Sequence, residues 1–157
     1  TGNDLNIPGL TAPQLTSLTK TRVVLADIGT GVLQAYDFDG ADFTSVGNSY
    51  SVSGATNVTM TALNSTDVML IQTVPTLGTF GAVVRFDGTD WVSVGLSTDA
   101  FEGGETQSTK YDTVTNLRIA AINGQDFAYI DDTQEDLRYY RTDFFMGLTR
   151  YSPISER

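Results

Sequence analysis

Apolar positions recur along the chain in short runs of four, each followed by a second strand-like stretch. Val23-Val24-Leu25-Ala26, Val68-Met69-Leu70-Ile71 and Phe127-Ala128-Tyr129-Ile130 are continuous apolar runs of strand length. Runs of this kind, rich in β-branched and aromatic residues, predict strands covered on both faces. The stretches Val32–Phe38, Ala82–Phe86 and Leu137–Arg141 predict the next strand of each group. The first two end at Asp-Gly, a hairpin signal because glycine accepts the positive φ that a tight turn requires. The returning stretches Phe43–Val46 and Trp91–Val94 alternate large and small residues, which predicts burial on one face only. No segment carries an apolar stripe at helical spacing, and Gln134–Leu137 has only the length of a turn. The pattern predicts an all-β chain.

The groups are copies of one another. Phe38-Asp39-Gly40-Ala41-Asp42-Phe43-Thr44-Ser45-Val46-Gly47 returns as Phe86-Asp87-Gly88-Thr89-Asp90-Trp91-Val92-Ser93-Val94-Gly95, identical at seven of ten positions. Upstream, Leu18–Asp27 aligns with Leu63–Gln72. A third copy begins at Ile122-Asn123-Gly124-Gln125-Asp126, and its Leu137–Phe144 parallels Leu33–Phe38, with the Phe-Asp-Gly turn lost. The expected organisation is an N-terminal arm (1–14), a three-repeat β domain (15–145, units about 15–60, 61–116 and 117–145) and a C-terminal tail (146–157). Ser97–Asp112 reads as an insertion before the third unit. The tail matches neither repeat block.

A period of this length with doubly covered inner strands suits small sheets stacked radially, as in a β-propeller. Thr61-Ala62-Leu63-Asn64-Ser65-Thr66-Asp67-Val68 and Arg85-Phe86-Asp87-Gly88-Thr89-Asp90-Trp91 resemble the propeller-like repeats of bacteriophage and bacterial surface proteins. The resemblance covers roughly residues 15–145 and brings no catalytic motif. It implies blade-like sheets and a virion or extracellular-surface protein, such as a head decoration, fibre or tail-associated component. Its partners would be copies of itself and other virion or surface proteins. Asp87-Gly88-Thr89-Asp90-Trp91 also resembles the Asp-box hairpin of sialidase-like propellers, one residue short, and that motif is structural. Propellers close with about four to eight blades, so three units form a ring only by self-association, two chains giving six blades. A β-sandwich of the same strands is the competing geometry.

Composition narrows the chemistry. The 157 residues hold 9 Lys plus Arg against 19 Asp plus Glu, a net charge of −10, with no His and no Cys. Thiol and Ser-His-Asp catalysis and His- or Cys-ligated metals are thereby excluded. The negative charge argues against nucleic acid, whose affinity comes largely from Lys and Arg. No run of 18 apolar residues exists, so no membrane helix is expected, and no leader pattern opens the sequence.

The remaining candidates are acidic and aromatic. Asp37, Asp39 and Asp42 could offer oxygen ligands to Ca²⁺. Arg85 stands in the place of Asp37 in the second copy, however, so turn chemistry is the simpler reading. Asp131, Asp132, Glu135 and Asp136 form the densest acidic group; paired carboxylates can hydrolyse glycosides, but a solvated turn is expected. Trp91 is the candidate for stacking a sugar, should the chain bind carbohydrate, although packing between sheets is the expected role of Trp91, Phe43 and Phe144. Asn57-Val58-Thr59 and Asn64-Ser65-Thr66 have the form of glycosylation sequons but read as turns. Four of the nine basic residues lie in the last 20 positions, among aromatics. Arg138, Tyr139, Tyr140, Arg141, Phe144, Phe145, Arg150, Tyr151 and Arg157 are therefore the expected interface residues, Tyr and Arg being enriched where proteins meet. No catalytic residue and no cofactor is expected.

Overall fold

The computed structural model describes residues 4–75, 78–97, 118–124, 126–131, 136–142 and 151–153. All regular structure among them is β. The strands are β1 (Gln14–Ser17), β2 (Arg22–Asp27), β3 (Val32–Phe38), β4 (Phe43–Ser51), β5 (Asn57–Ala62), β6 (Asp67–Val74), β7 (Gly78–Phe86), β8 (Trp91–Ser97), β9 (Arg118–Ala121), β10 (Asp126–Asp131), β11 (Asp136–Thr142) and β12 (Tyr151–Pro153). They form three antiparallel sheets of four strands each, in which every strand pairs with its neighbour in sequence.

Each sheet opens on a strand that the apolar pattern does not announce. β1, β5 and β9 open the three units, and they are short and rich in Thr, Ser and Ala. The first sheet ends at Ser51 and the second begins at Asn57, so β5 straddles the division expected near residue 60. At the other end, Tyr151–Pro153 pairs with Tyr140–Thr142 and supplies the fourth strand of the third sheet. That part of the tail is built into its own chain. Of the expected insertion Ser97–Asp112, only Ser97, the last residue of β8, lies among the described residues.

The repeat unit has a physical signature at its first turn. Leu18, Leu63 and Ile122 each donate a backbone N–H to the carbonyl four residues on, at 3.0, 2.8 and 2.8 Å. The residue after each is short and polar. Thr19 Oγ1, Asn64 Oδ1 and Asn123 Oδ1 accept the backbone N–H of Arg22, Asp67 and Asp126 at 2.9, 2.9 and 3.0 Å. A side-chain oxygen here satisfies a turn N–H that no strand can reach. At the second turn, Asp39 Oδ1 accepts from Ala41 N and Asp42 N, and Asp87 Oδ1 from Thr89 N and Asp90 N, all within 2.9 Å. Gly40 and Gly88 sit at φ 106° and 109° in these turns, a region closed to most side chains.

The first two sheets pack face to face. Val24, Ala26, Leu33 and Ala35 of the first meet Met60, Val68, Leu70, Ala82, Val84, Phe86 and Trp91 of the second in one buried cluster. Strand β6 behaves as its apolar run predicts, with Val68, Met69 and Leu70 fully buried and Ile71 2% exposed. β2 and β10 differ from that expectation. In β2, Val24 and Ala26 are buried while Val23 and Leu25 are only half-buried; in β10, Phe127 is buried while Ile130 is 42% exposed. The reason is position. The second sheet lies between two others, and the first and third each have one face without a neighbouring sheet among the described residues.

Candidate functional site

The acidic positions that invited a metal are occupied with structural work. Asp37 receives Arg22 through two hydrogen bonds, Nε to Oδ1 at 2.6 Å and Nη2 to Oδ2 at 2.7 Å. The guanidinium holds the Asp37 carboxyl below its ordinary range. Asp39 spends an oxygen on two turn amides, which lower its pKa in turn. Among the described residues no three His, Cys, Asp or Glu side chains gather into a metal site. Asp131 and Asp136 face each other in the register of β10 and β11; Asp132 and Glu135 lie outside the described residues.

Arg22 lies opposite Asp37 in the register of the first sheet, and Asp67 lies opposite Arg85 in the second. The pair is conserved in place with its charges exchanged. Arg85 reaches Asp67 with Nε to Oδ1 at 2.6 Å and Nη2 to Oδ2 at 2.8 Å. Burial pushes the Asp67 carboxyl up, but Arg85, Asn64 and Thr66 outweigh it and the pKa falls. The third register sets Asp126 opposite Arg141.

Asp27 is a polar site that the sequence did not signal, since its counterpart in the aligned second copy is Gln72. Its fully buried carboxylate accepts from Thr11 N at 2.9 Å, Ala12 N at 2.8 Å and Thr30 N at 2.8 Å. Burial raises its pKa, and the backbone N–H groups of Thr30, Thr11, Ala12 and Gly29 more than reverse this. The residues leading into β1 are thereby fastened to the end of β2.

Trp91 does not offer an open face for a sugar. It is 9% exposed, its ring centroid lies 5.0 Å from that of Phe86, and it belongs to the core between the first two sheets. Its indole Nε1 is buried with no hydrogen-bond partner among the described residues. Arg22 covers the other member of this aromatic pair, with Cζ 5.1 Å from the Phe86 ring centroid. Of the expected interface residues, Arg138, Tyr139, Tyr140 and Arg141 lie in β11 and Tyr151 in β12. The register sets Tyr139 opposite Ala128 and Tyr140 opposite Phe127. Phe144, Phe145, Arg150 and Arg157 lie outside the described residues.

Among the described residues the structure exposes the outer face of the first sheet. Leu15 is 66% exposed and Phe43 37%. Leu15 stands opposite half-buried Leu25, and half-buried Val23 stands opposite half-buried Tyr36. Phe43 leans on Phe38 with centroids 4.8 Å apart. Each of these positions has a buried counterpart in the second sheet: Met60 for Leu15, Val68 and Leu70 for Val23 and Leu25, Trp91 for Phe43. The sequence hid this face because β1 carries no apolar run.

No protein-family model, curated protein or solved structure matches the chain.

Proposed function

We propose that the protein is a non-enzymatic structural component of a bacteriophage particle, a head decoration, fibre or tail-associated protein, acting through contacts with other protein subunits. In this reading the three sheets are blade-like units of a propeller-type array. The observation that carries it is the use made of the repeated polar residues. Asp39, Asp87, Asn64, Asn123 and the Arg22–Asp37 and Arg85–Asp67 pairs hold turns and strand ends, while the first sheet turns a half-buried apolar face outward. Exposed apolar patches on otherwise polar proteins mark interaction sites. The placement in a phage particle rests on the resemblance of Thr61–Val68 and Arg85–Trp91 to phage repeats.

Native mass spectrometry together with a glycan array tests this reading. The expected result is a multimeric particle that retains no sugar. A monomer that binds a sugar, with binding lost on substitution of an exposed aromatic such as Phe43→Ala, would replace it with a lectin or receptor-binding adhesin.

A further inference from the structure

The step from one sheet to the next is made twice within the chain, by the same atoms. Thr16 Oγ1 of β1 accepts the backbone N–H of Ala62 in β5 at 3.0 Å. Thr61 Oγ1 of β5 accepts the backbone N–H of Ala121 in β9 at 3.1 Å. The first turns fix the equivalence of these positions, since Leu18, Leu63 and Ile122 make the same turn bond. Thr16, Thr61 and Ala120 are therefore one position, and Ser17, Ala62 and Ala121 the next. Sheet one thus lays its Thr16 face on sheet two, and sheet two lays its Thr61 face on sheet three. Among the described residues two halves of that junction remain unused: the Leu15 and Ser17 face of the first sheet, and the Ala120 face of the third.

We infer that these two faces join head to tail between copies of this chain, the Ala120 face of one third sheet covering the Leu15 face of another copy's first sheet. This rests on the array proposed above, and it names the partner and the surface. The exposed positions match the buried ones across the repeat. Leu15 at 66% corresponds to Met60 at 6%, and Phe43 at 37% to Trp91 at 9%. On the third sheet, Ile130 at 42% corresponds to Ala26 at 0% and Ile71 at 2%. The second sheet shows what covers such a face, because its Phe86–Trp91 pair lies beneath Arg22 and against Gly47 of the preceding sheet. The Phe38–Phe43 pair has the same form and no such cover among the described residues. The new junction differs in one respect: Ala120 has no hydroxyl, so the bond made by Thr16 and Thr61 is absent there. The contact between copies is accordingly weaker than the junctions inside the chain, as suits subunits that meet after folding. A head-to-tail contact closes into a ring when its rotation divides a full turn and grows into a filament otherwise.

The chain contains no cysteine, which makes the test direct. Ser17→Cys with Ala120→Cys, oxidised at micromolar protein, should link two chains. Thr16→Cys with Ala62→Cys should close within one chain and shows that the junction geometry admits a disulfide. Adding Leu15→Glu to the first pair should lower the linked fraction at least tenfold while leaving the circular dichroism of the reduced chain unchanged, because Leu15 is solvent-facing in the single chain. Failure of the Ser17/Ala120 pair to link while the control closes would overturn the inference, as would linking that ignores Leu15→Glu. Linked products that lengthen without limit would keep the contact and remove the closed ring.

Discussion

Asp67 and Arg85 face each other across β6 and β7 as a two-bond ion pair, and the same place in the first sheet holds Arg22 and Asp37 with the charges reversed. What the repeat keeps is a complementary pair beside the turns, whichever strand carries the cation. Phe86 N and Phe38 N bond to Thr66 O and Thr21 O just beyond it, at 2.9 and 2.7 Å. The pair therefore closes the sheet edge where the backbone ladder gives way to turns.

Exchanging the pair should be far better tolerated than breaking it. Asp67→Arg alone sets two cations against each other at a nearly buried position and should cost about 3 kcal/mol, in line with disrupting a buried pair. Adding Arg85→Asp should recover about 1 kcal/mol or more, the usual size of coupling between contacting residues. The remainder stays lost, because Asn64 Nδ2 and Thr66 Oγ1 also donate to Asp67. Urea unfolding of the three variants measures the cycle, and a strictly additive double variant would show that the pair contributes nothing specific.

Asp27 should make stability fall in acid. Its folded-state pKa is lowered, so its contribution is complete above the unfolded value, about 3.9. It is lost as pH falls from there through the folded value. Asp27→Ala takes away the acceptor shared by the N–H groups of Thr11, Ala12 and Thr30, whose bonds to it are part-buried, and should cost about 2 kcal/mol at neutral pH. It should also remove part of the acid dependence below pH ~4. Hydrogen exchange localises the loss: the amides of Thr11, Ala12 and Thr30 should lose protection first. Unchanged protection at these amides would show that the N-terminal segment is held by something else.

Gly47 and Gly40 separate two reasons for glycine. Both have positive φ, 67° and 106°. A Cβ at Gly40 would meet nothing, whereas one at Gly47 would collide with Thr89 O and the Phe86 ring of the second sheet. Gly40→Ala should cost about 1 kcal/mol for backbone strain alone. Gly47→Ala should cost about 2 kcal/mol more through the displaced sheet contact. Equal losses in urea unfolding would mean that the sheets do not meet closely at Gly47.

The strands β2, β3, β6 and β10 were legible because long apolar side chains mark them, and the Asp-Gly turns because their chemistry is local. The openers β1, β5 and β9 were not, since Thr, Ser and Ala gain their stability there from neighbouring sheets, as Thr16 and Thr61 do through their hydroxyls. The same limit hid the outer face of the first sheet. Aromatic residues draw the eye in a sequence, yet Trp91 is core and the uncovered surface centres on Leu15. Burial depends on which sheet has a neighbour, and the repeats look alike before the array is assembled. Asp27 was silent for another reason: its partners are backbone amides, which no side-chain pattern records.

Trp91 reports on this directly, being the one tryptophan of the chain. Its emission should be blue-shifted and resist quenching by iodide, because the ring is 9% exposed beside Phe86. Monosaccharides should leave the spectrum unchanged. A solvent-like emission, or quenching by a sugar, would place the indole at the surface and make it the sugar-stacking candidate in place of a packing residue.

The central claim is that the molecule works by assembling through its exposed sheet faces. Sedimentation equilibrium measures it, run at low and high salt. The expected mass is twice the 16.9 kDa chain, six sheets closed by two copies. Association should strengthen as salt screens the repulsion between chains of charge −10. A single-chain mass at every concentration and salt would contradict the account.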